Sequence, residues 1–325
     1  MSQVMTLSVQ QQQPSDPRKT ELPPIVTDRK TGRAYHVGGL LGTGGFAKVF
    51  RVTEAITNMV FADKVINKKV FKEKKNAKEK VEREIMIHRD LRHEHVVTFV
   101  RYFEDSQFVH MVLELCPQKT LLHVSNNRKR VTEAEVRYYT RQIVDGVSYL
   151  HSRAILHRDL KLGNMFLSAN MLVKIGDFGL ASTFDGKRRG VLVSLLKLFS
   201  LSRYLFCCPL LLSLSPLSPP DNNNSLCGTP NYIAPEVLGR KGHSPASEVW
   251  SLGCMVYALL CGVPPFETSA VDTTYARISA GTFSIPAFLS PASQSFLQAV
   301  LHPDPQLRAT LPSLLTSSLL SGPTP

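Results

Sequence analysis

His157-Arg158-Asp159-Leu160-Lys161-Leu162-Gly163-Asn164 is the stretch on which the fold turns. Asp159 is a carboxylate that can accept the proton of an attacking hydroxyl. Asn164, five residues on, can hold a magnesium ion through its amide oxygen from the same loop. Histidine, arginine and aspartate in a row arise by chance, but an asparagine at this spacing seldom accompanies them. Downstream, Val173-Lys174-Ile175 reads as a strand and delivers Asp177-Phe178-Gly179. Asp177 is a hard oxygen ligand suited to magnesium bridging two phosphates. By itself, an Asp-Phe-Gly turn is common.

Upstream lies Leu41-Gly42-Thr43-Gly44-Gly45-Phe46-Ala47-Lys48-Val49. Glycines let backbone N–H groups approach phosphates with no Cβ in the way. A dinucleotide fold would follow them with a helix. Here Val49-Phe50-Arg51-Val52 reads as a strand returning from a hairpin, a lid over phosphates. Lys64 sits in the apolar strand Val60-Phe61-Ala62-Asp63-Lys64-Val65, where a lone ammonium is costly. It either snorkels from an edge strand or pairs with Glu84 of the next helix and with nucleotide phosphates. Downstream again, Gly228-Thr229-Pro230-Asn231-Tyr232 precedes Ala234-Pro235-Glu236, and Arg308 is a partner for Glu236 in a clamping ion pair. Each motif has a bland reading alone; in this order together they have none.

Periodicity places these motifs in an α+β chain. Residues 1–34 are polar, with a Gln10–Gln13 run, and read as a disordered tail. Residues 35–66 alternate as strands, 70–92 read as a helix, and 95–103 and 108–115 as two more strands. Residues 132–152 form an amphipathic helix opened by Thr132 with Glu135 three places on, a capping box. Short strands follow at 164–167 and 171–175, and the chain is mostly helical from about 245. A β-rich N-lobe over 35–113 and an α-rich C-lobe over 117–315 would enclose a cleft, with 316–325 a C-terminal tail.

The chain resembles the protein kinase family over 35–315, and within it the polo-like kinases. The specific likenesses are GTGGFAKV at 42–49, HRDLKLGNMFL at 157–167, VKIGDFGLA at 173–181 and LCGTPNYIAPEVL at 226–238. KGHS at 241–244 and VPPFET at 263–268 add to them. The resemblance implies the two-lobed kinase fold, ATP and Mg²⁺, and transfer to Ser/Thr hydroxyls of protein substrates. It makes Leu113 the gatekeeper, gives adenine the hinge at Glu114 and Cys116, and puts Phe166 beneath the base. Leu41, the 42–49 loop, Ala62, Lys64, Glu84 and Asp177 complete the implied ATP site. Lys161 would neutralise the transferring phosphate, and Thr229 would brace Asp159 and Lys161. Ser225 would be the regulatory phosphosite paired with Arg158, fed by an upstream kinase. A cell-cycle role follows by resemblance, inside the cell in cytoplasm or nucleus, with centrosome or spindle pole as further sites. The family's polo-box region is not in this sequence, so docking to primed substrates does not follow.

Two further departures stand out. Residues 190–224, rich in Leu, Ser and Pro, interrupt the segment between Asp177 and Glu236 and separate Lys187-Arg188-Arg189 from Ser225. Their composition matches translated pyrimidine-rich intron. Leu192–Leu217 is long enough to span a bilayer, but its charges and prolines, and the splitting of one lobe it would cause, argue against a span. Glu248 stands where the family has an aspartate that braces the catalytic loop, and its extra methylene is expected to loosen that brace. A catalytically impaired pseudokinase or scaffold is therefore the alternative reading. The 325 residues carry a formal net charge of +12, which suits acidic or phosphate-rich partners or is a solvated surface. No nucleic-acid motif accompanies it. Six cysteines form no CxxC pair, and the N-terminus has no signal-peptide pattern, so free thiols in a reducing compartment are expected.

Overall fold

The computed structural model describes residues 22–45, 47–184 and 227–322. The N-lobe is one antiparallel sheet. Its strands are β1 (Ile25–Asp28), β2 (Arg33–Thr43), β3 (Ala47–Glu54), β4 (Val60–Asn67), β5 (Phe99–Glu104) and β6 (Phe108–Glu114), in spatial order β1-β2-β3-β4-β6-β5. Lys64 pairs with Val49 of β3 and Met111 of β6, so it is central rather than on an edge. Alternation splits the sheet's side chains between two cores. One face packs Ile66, Val109 and Met111 with Ile85 of the helix α2 (Ala77–His88). The other buries Phe50, Phe61, Val65 and Val112 with Leu22 and Val26. This second core also encloses an ion pair: His110 Nδ1 lies 2.8 Å from Asp63 Oδ2, both side chains fully buried, with Phe103 stacked on the imidazole.

The tail expected over 1–34 is corrected from residue 22 onward. Ile25-Val26-Thr27 is a β-branched run that pairs with Ala34–His36 through a turn in which Gly32 takes φ 73 and its N–H donates to Asp28 O. Val26 and Leu22 bury their side chains, which outweighs the polar composition around them. The helix expected over 70–92 is two pieces, α1 (Val70–Glu73) and α2, separated by Asn76 at φ 61, and it stops at His88.

The C-lobe is built on α3 (Leu121–Arg128), α4 (Glu133–Ser152), α5 (Pro235–Leu238), α6 (Pro245–Cys261), α7 (Val271–Ala280), α8 (Pro291–Val300), α9 (Leu311–Leu315) and α10 (Ser318–Ser321). Thr132 and Glu135 form the expected capping box of α4. Trp250, Leu150, Phe266 and Ile143 anchor one continuous core. Two short antiparallel pairs lie at the cleft: β7 (Ile155–Leu156) pairs with β10 (Ser182–Thr183), and β8 (Met165–Leu167) with β9 (Val173–Ile175). The tail expected from 316 is corrected too. Ser317 caps α10, and Leu319 and Leu320 are fully buried, so the domain extends through that helix. Residues 190–224, Ser225 and Phe46 lie outside the described residues. Among the described residues no helix is long and apolar enough to cross a membrane, and Leu192–Leu217 is not among them.

Candidate active site

Lys64 joins the two lobes. Its Nζ lies 2.6 Å from Glu84 Oε1 of α2 and 2.9 Å from Asp177 Oδ1. Burial pushes the ammonium down, but the two carboxylates outweigh it and hold its pKa above the ordinary lysine value. Lys64 in turn holds the Asp177 carboxyl at about 2. Both partners are thus charged at neutral pH. Asp177 follows β9 at φ 65, a backbone conformation few non-glycine residues adopt. What holds it there is its neighbour: Phe178 is buried against the His88 ring at 4.5 Å and the His157 ring at 5.1 Å.

The catalytic-loop residues meet Thr229 from the far side of the activation segment. Thr229 Oγ1 donates to Asp159 Oδ1 at 3.0 Å, and Lys161 Nζ lies 2.9 Å from Thr229 Oγ1 and 2.7 Å from Asp159 Oδ2. Asn164 Nδ2 donates to Asp159 O at 2.8 Å and Oδ2 at 3.1 Å, which leaves Oδ1 as the amide's acceptor. His157 Nε2–H donates to Gly176 O at 3.0 Å, and its Nδ1 accepts from Asp159 N at 3.3 Å, so the ring ties the loop to the strand behind Asp177.

Glu248 was expected to brace this loop loosely, and its geometry corrects that expectation. It is 2% exposed on α6. Oε1 accepts from Arg158 N at 2.8 Å, and Oε2 accepts from His151 Nε2 at 2.6 Å. The longer side chain spends its extra reach on a second partner. Burial pushes its carboxyl up, but His151 and the Arg158 amide outweigh that and hold it below the ordinary glutamate value. Arg158 takes φ 64, and its Nε donates to Leu180 O at 2.6 Å. The pairing of Arg158 with Ser225 falls outside the described residues.

The implied nucleotide wall is partly framed. Ala62 and Leu113 face each other across β4 and β6, and Phe166 lies on β8. Glu114 is held by Thr98 N at 3.0 Å and Lys174 Nζ at 2.9 Å, and Cys116 follows it in the link between the lobes. Burial pushes the Cys116 thiol up to about 12, so it is not a thiolate. Leu41 is exposed near the hairpin tip, where Gly42 pairs with Val49 and Thr43 with Lys48. A Cβ built at Gly42 or Gly45 meets no other protein atom within 4 Å, and neither residue has a positive φ. The protein's own packing therefore does not require glycine there, and both positions leave room for close approach by a ligand. Glu236 and Arg308 form the expected clamp, bidentate at 2.7 and 3.0 Å and buried.

Sequence reading missed His88. It lies one turn after Glu84 on the same helix face, and that spacing was the available signal. Burial lowers its pKa to about 4, so the neutral ring donates Nε2–H to Val97 O at 2.7 Å and packs on Phe178.

A glycine-rich hairpin over a cleft, a sheet lysine paired to a helix glutamate, and a helical lobe carrying the loop aspartates define the protein kinase class. The chain belongs to the protein kinase family, whose protein kinase domain matches residues 35–320. It is 44% identical over 304 residues to the serine/threonine-protein kinase PLK1 of Xenopus laevis, covering 93% of this chain and 45% of that one. The serine/threonine-protein kinase polo of Drosophila melanogaster is 40% identical, covering 94% and 47%. The serine/threonine-protein kinase PLK2 of Rattus norvegicus is 39% identical, covering 94% and 40%. These relatives bear out the likeness to polo-like kinases. The chain spans less than half the length of each.

Proposed function

We propose that this chain is an ATP-dependent, polo-like serine/threonine protein kinase acting on cell-cycle-related protein substrates inside the cell. The observation that carries the reading is Lys64 held between Glu84 and Asp177 across the cleft. That arrangement presents a fixed ammonium to the α- and β-phosphates and aims Asp177 at the same place. The adenine lies between Ala62, Leu113 and Phe166, with hinge contacts at Glu114 and Cys116. The hairpin from Leu41 to Val49 covers the phosphates.

Asn164 Oδ1 and Asp177 are the oxygens suited to magnesium, which, when bound, neutralises phosphate charge. The substrate hydroxyl oxygen attacks the γ-phosphorus, the bond to the β–γ bridging oxygen breaks, and ADP leaves. Asp159 accepts the hydroxyl proton, Thr229 and Lys161 fix its orientation, and Lys161 meets the charge of the transferring group. Phosphorylated Ser225, supplied by an upstream kinase, would pair with Arg158 and settle the segment leading to Thr229. The pairing of Lys64 with Glu84 and Asp177, and of Asp159 with Lys161 and Thr229, supports the active reading over the pseudokinase one.

The test is turnover of ATP on an acidic Ser/Thr peptide by the full chain, by Asp159→Asn and by a version lacking 190–224. Transfer that Asp159→Asn abolishes in either background supports the proposal. Background signal from all of them refutes it.

A further inference from the structure

The outer face of the N-lobe sheet contains a second cavity, of about 210 Å³. Phe50, Val65, Phe108 and Leu22 form its apolar wall, and Asn67 and Val70 its edge. Thr43, Gly44, Gly45, Ala47 and Lys48 of the glycine-rich hairpin close its remaining side, so the cavity adjoins the hairpin, while Ala62, Lys64, Leu113 and Asp177 of the nucleotide cleft do not line it. For scale, an apolar cavity of about 150 Å³ takes a benzene ring.

The chain leaving this edge is strongly basic. Residues 68–80 hold seven lysines against Glu73 and Glu79. Lys69, Lys72, Lys75, Lys78 and Lys80 are exposed on and around α1 and the start of α2. Lys68 instead turns to Asp105 O and Glu104, both at 2.6 Å. An apolar recess edged by a field of one sign is complementary to a ligand carrying an apolar anchor among opposite charges.

We propose that this site docks an acidic peptide segment of a partner protein, with one large apolar side chain in the cavity and carboxylates on the α1 lysines. Charge decides between occupants. The chain's own leading segment, residues 1–21, carries Asp16 and Glu21 against Arg18 and Lys19 and so has no net charge to offer. A second copy, at +12, has the wrong sign overall. A nucleic acid would use the lysines and leave the recess unfilled, and a flat lipid surface would not reach into it. The site adjoins the linker into α2, the helix that carries Glu84.

The experiment is fluorescence anisotropy on the full chain with a fluorescein-labelled dodecapeptide of alternating Glu and Asp around one central phenylalanine. Saturable binding is expected. It should weaken at least about tenfold in the Lys69→Glu/Lys72→Glu/Lys75→Glu variant, in Val70→Asp, and when serine replaces the peptide's phenylalanine. Lys69, Lys72 and Lys75 are exposed and Val70 is half-buried, and unchanged thermal unfolding verifies the two protein variants. Absence of saturable binding overturns the proposal. So does equal affinity for the serine peptide, or equal affinity for a thymidine dodecanucleotide or phosphatidylserine vesicles, since either would mean a generic polyanion surface that ignores the cavity.

Discussion

Replacing Glu248 with alanine tests how the helical lobe fixes the catalytic loop. The carboxylate accepts the Arg158 amide at 2.8 Å and the His151 ring at 2.6 Å, from a position 2% exposed. In Glu248→Ala the Arg158 N–H loses its acceptor inside the protein, a loss of about 1–3 kcal/mol. Arg158 is also held at φ 64, where a non-glycine residue stores roughly 1–2 kcal/mol that only its surroundings restrain. Relaxation there moves the next residue, Asp159. The expected outcome is a loss of about 3 kcal/mol in stability, and a fall in kcat of roughly 10²-fold if Asp159 shifts by about 1 Å. Glu248→Gln keeps the acceptor for Arg158 but loses the charge facing His151, so it should cost only about 1 kcal/mol and spare most of kcat. Because the folded carboxyl lies below its ordinary value of 4.5, its contribution is present above that pH and disappears as pH falls through the folded pKa. Glu248→Gln should therefore flatten the acid limb of the stability curve. Urea unfolding and single-turnover phosphoryl transfer supply the two readouts. A Glu248→Ala protein within about 0.5 kcal/mol and twofold in kcat of the parent would refute the brace. Lost stability with kcat intact would leave Glu248 a purely structural residue.

Lys64→Met removes the partner shared by Glu84 and Asp177 and should lower kcat/KM by roughly 10²–10³-fold, measured at subsaturating ATP. Arg308→Ala strands the buried Glu236 carboxylate and should cost about 3–5 kcal/mol in urea unfolding, whereas the double variant Glu236→Gln/Arg308→Met should recover part of it. His110→Phe should be destabilising by a similar amount, because it leaves Asp63 buried without its partner. In the parent, burial pushes His110 down, but Asp63 and Asp105 outweigh it and raise its pKa above 6.5. A raised histidine pKa makes the pair's contribution full below the unfolded value and loses it as pH rises through the folded one. The stability gap between parent and His110→Phe should therefore narrow as pH rises from the ordinary value of 6.5 through the raised folded one, as read from thermal unfolding. A gap that widens would reverse the assignment.

What the sequence made legible was the chemistry that depends on short spacing. Asp159 and Asn164 share one loop, Asp177 follows its strand directly, and Thr132 with Glu135 caps one helix, so each could be read from neighbours. The long-range pair Lys64–Glu84 was legible for a different reason: a charge placed in an apolar strand needs a partner. Glu236–Arg308 was legible only from the order of the motifs that carry it. Composition failed where burial depends on distant elements. Leu22 and Val26 look like part of a polar tail until the far face of the sheet is seen to need a cover. Leu319 and Leu320 look like a frayed end until they fill the C-lobe core. Glu248 failed more instructively. Family likeness framed it as an aspartate with one methylene too many, a statement about length alone. The structure makes length relative to the available partners, and His151 lies where the extra reach is used. A departure at a buried charged position is therefore judged by whether every oxygen finds a donor, and by that standard this catalytic loop is held at both ends of the carboxylate.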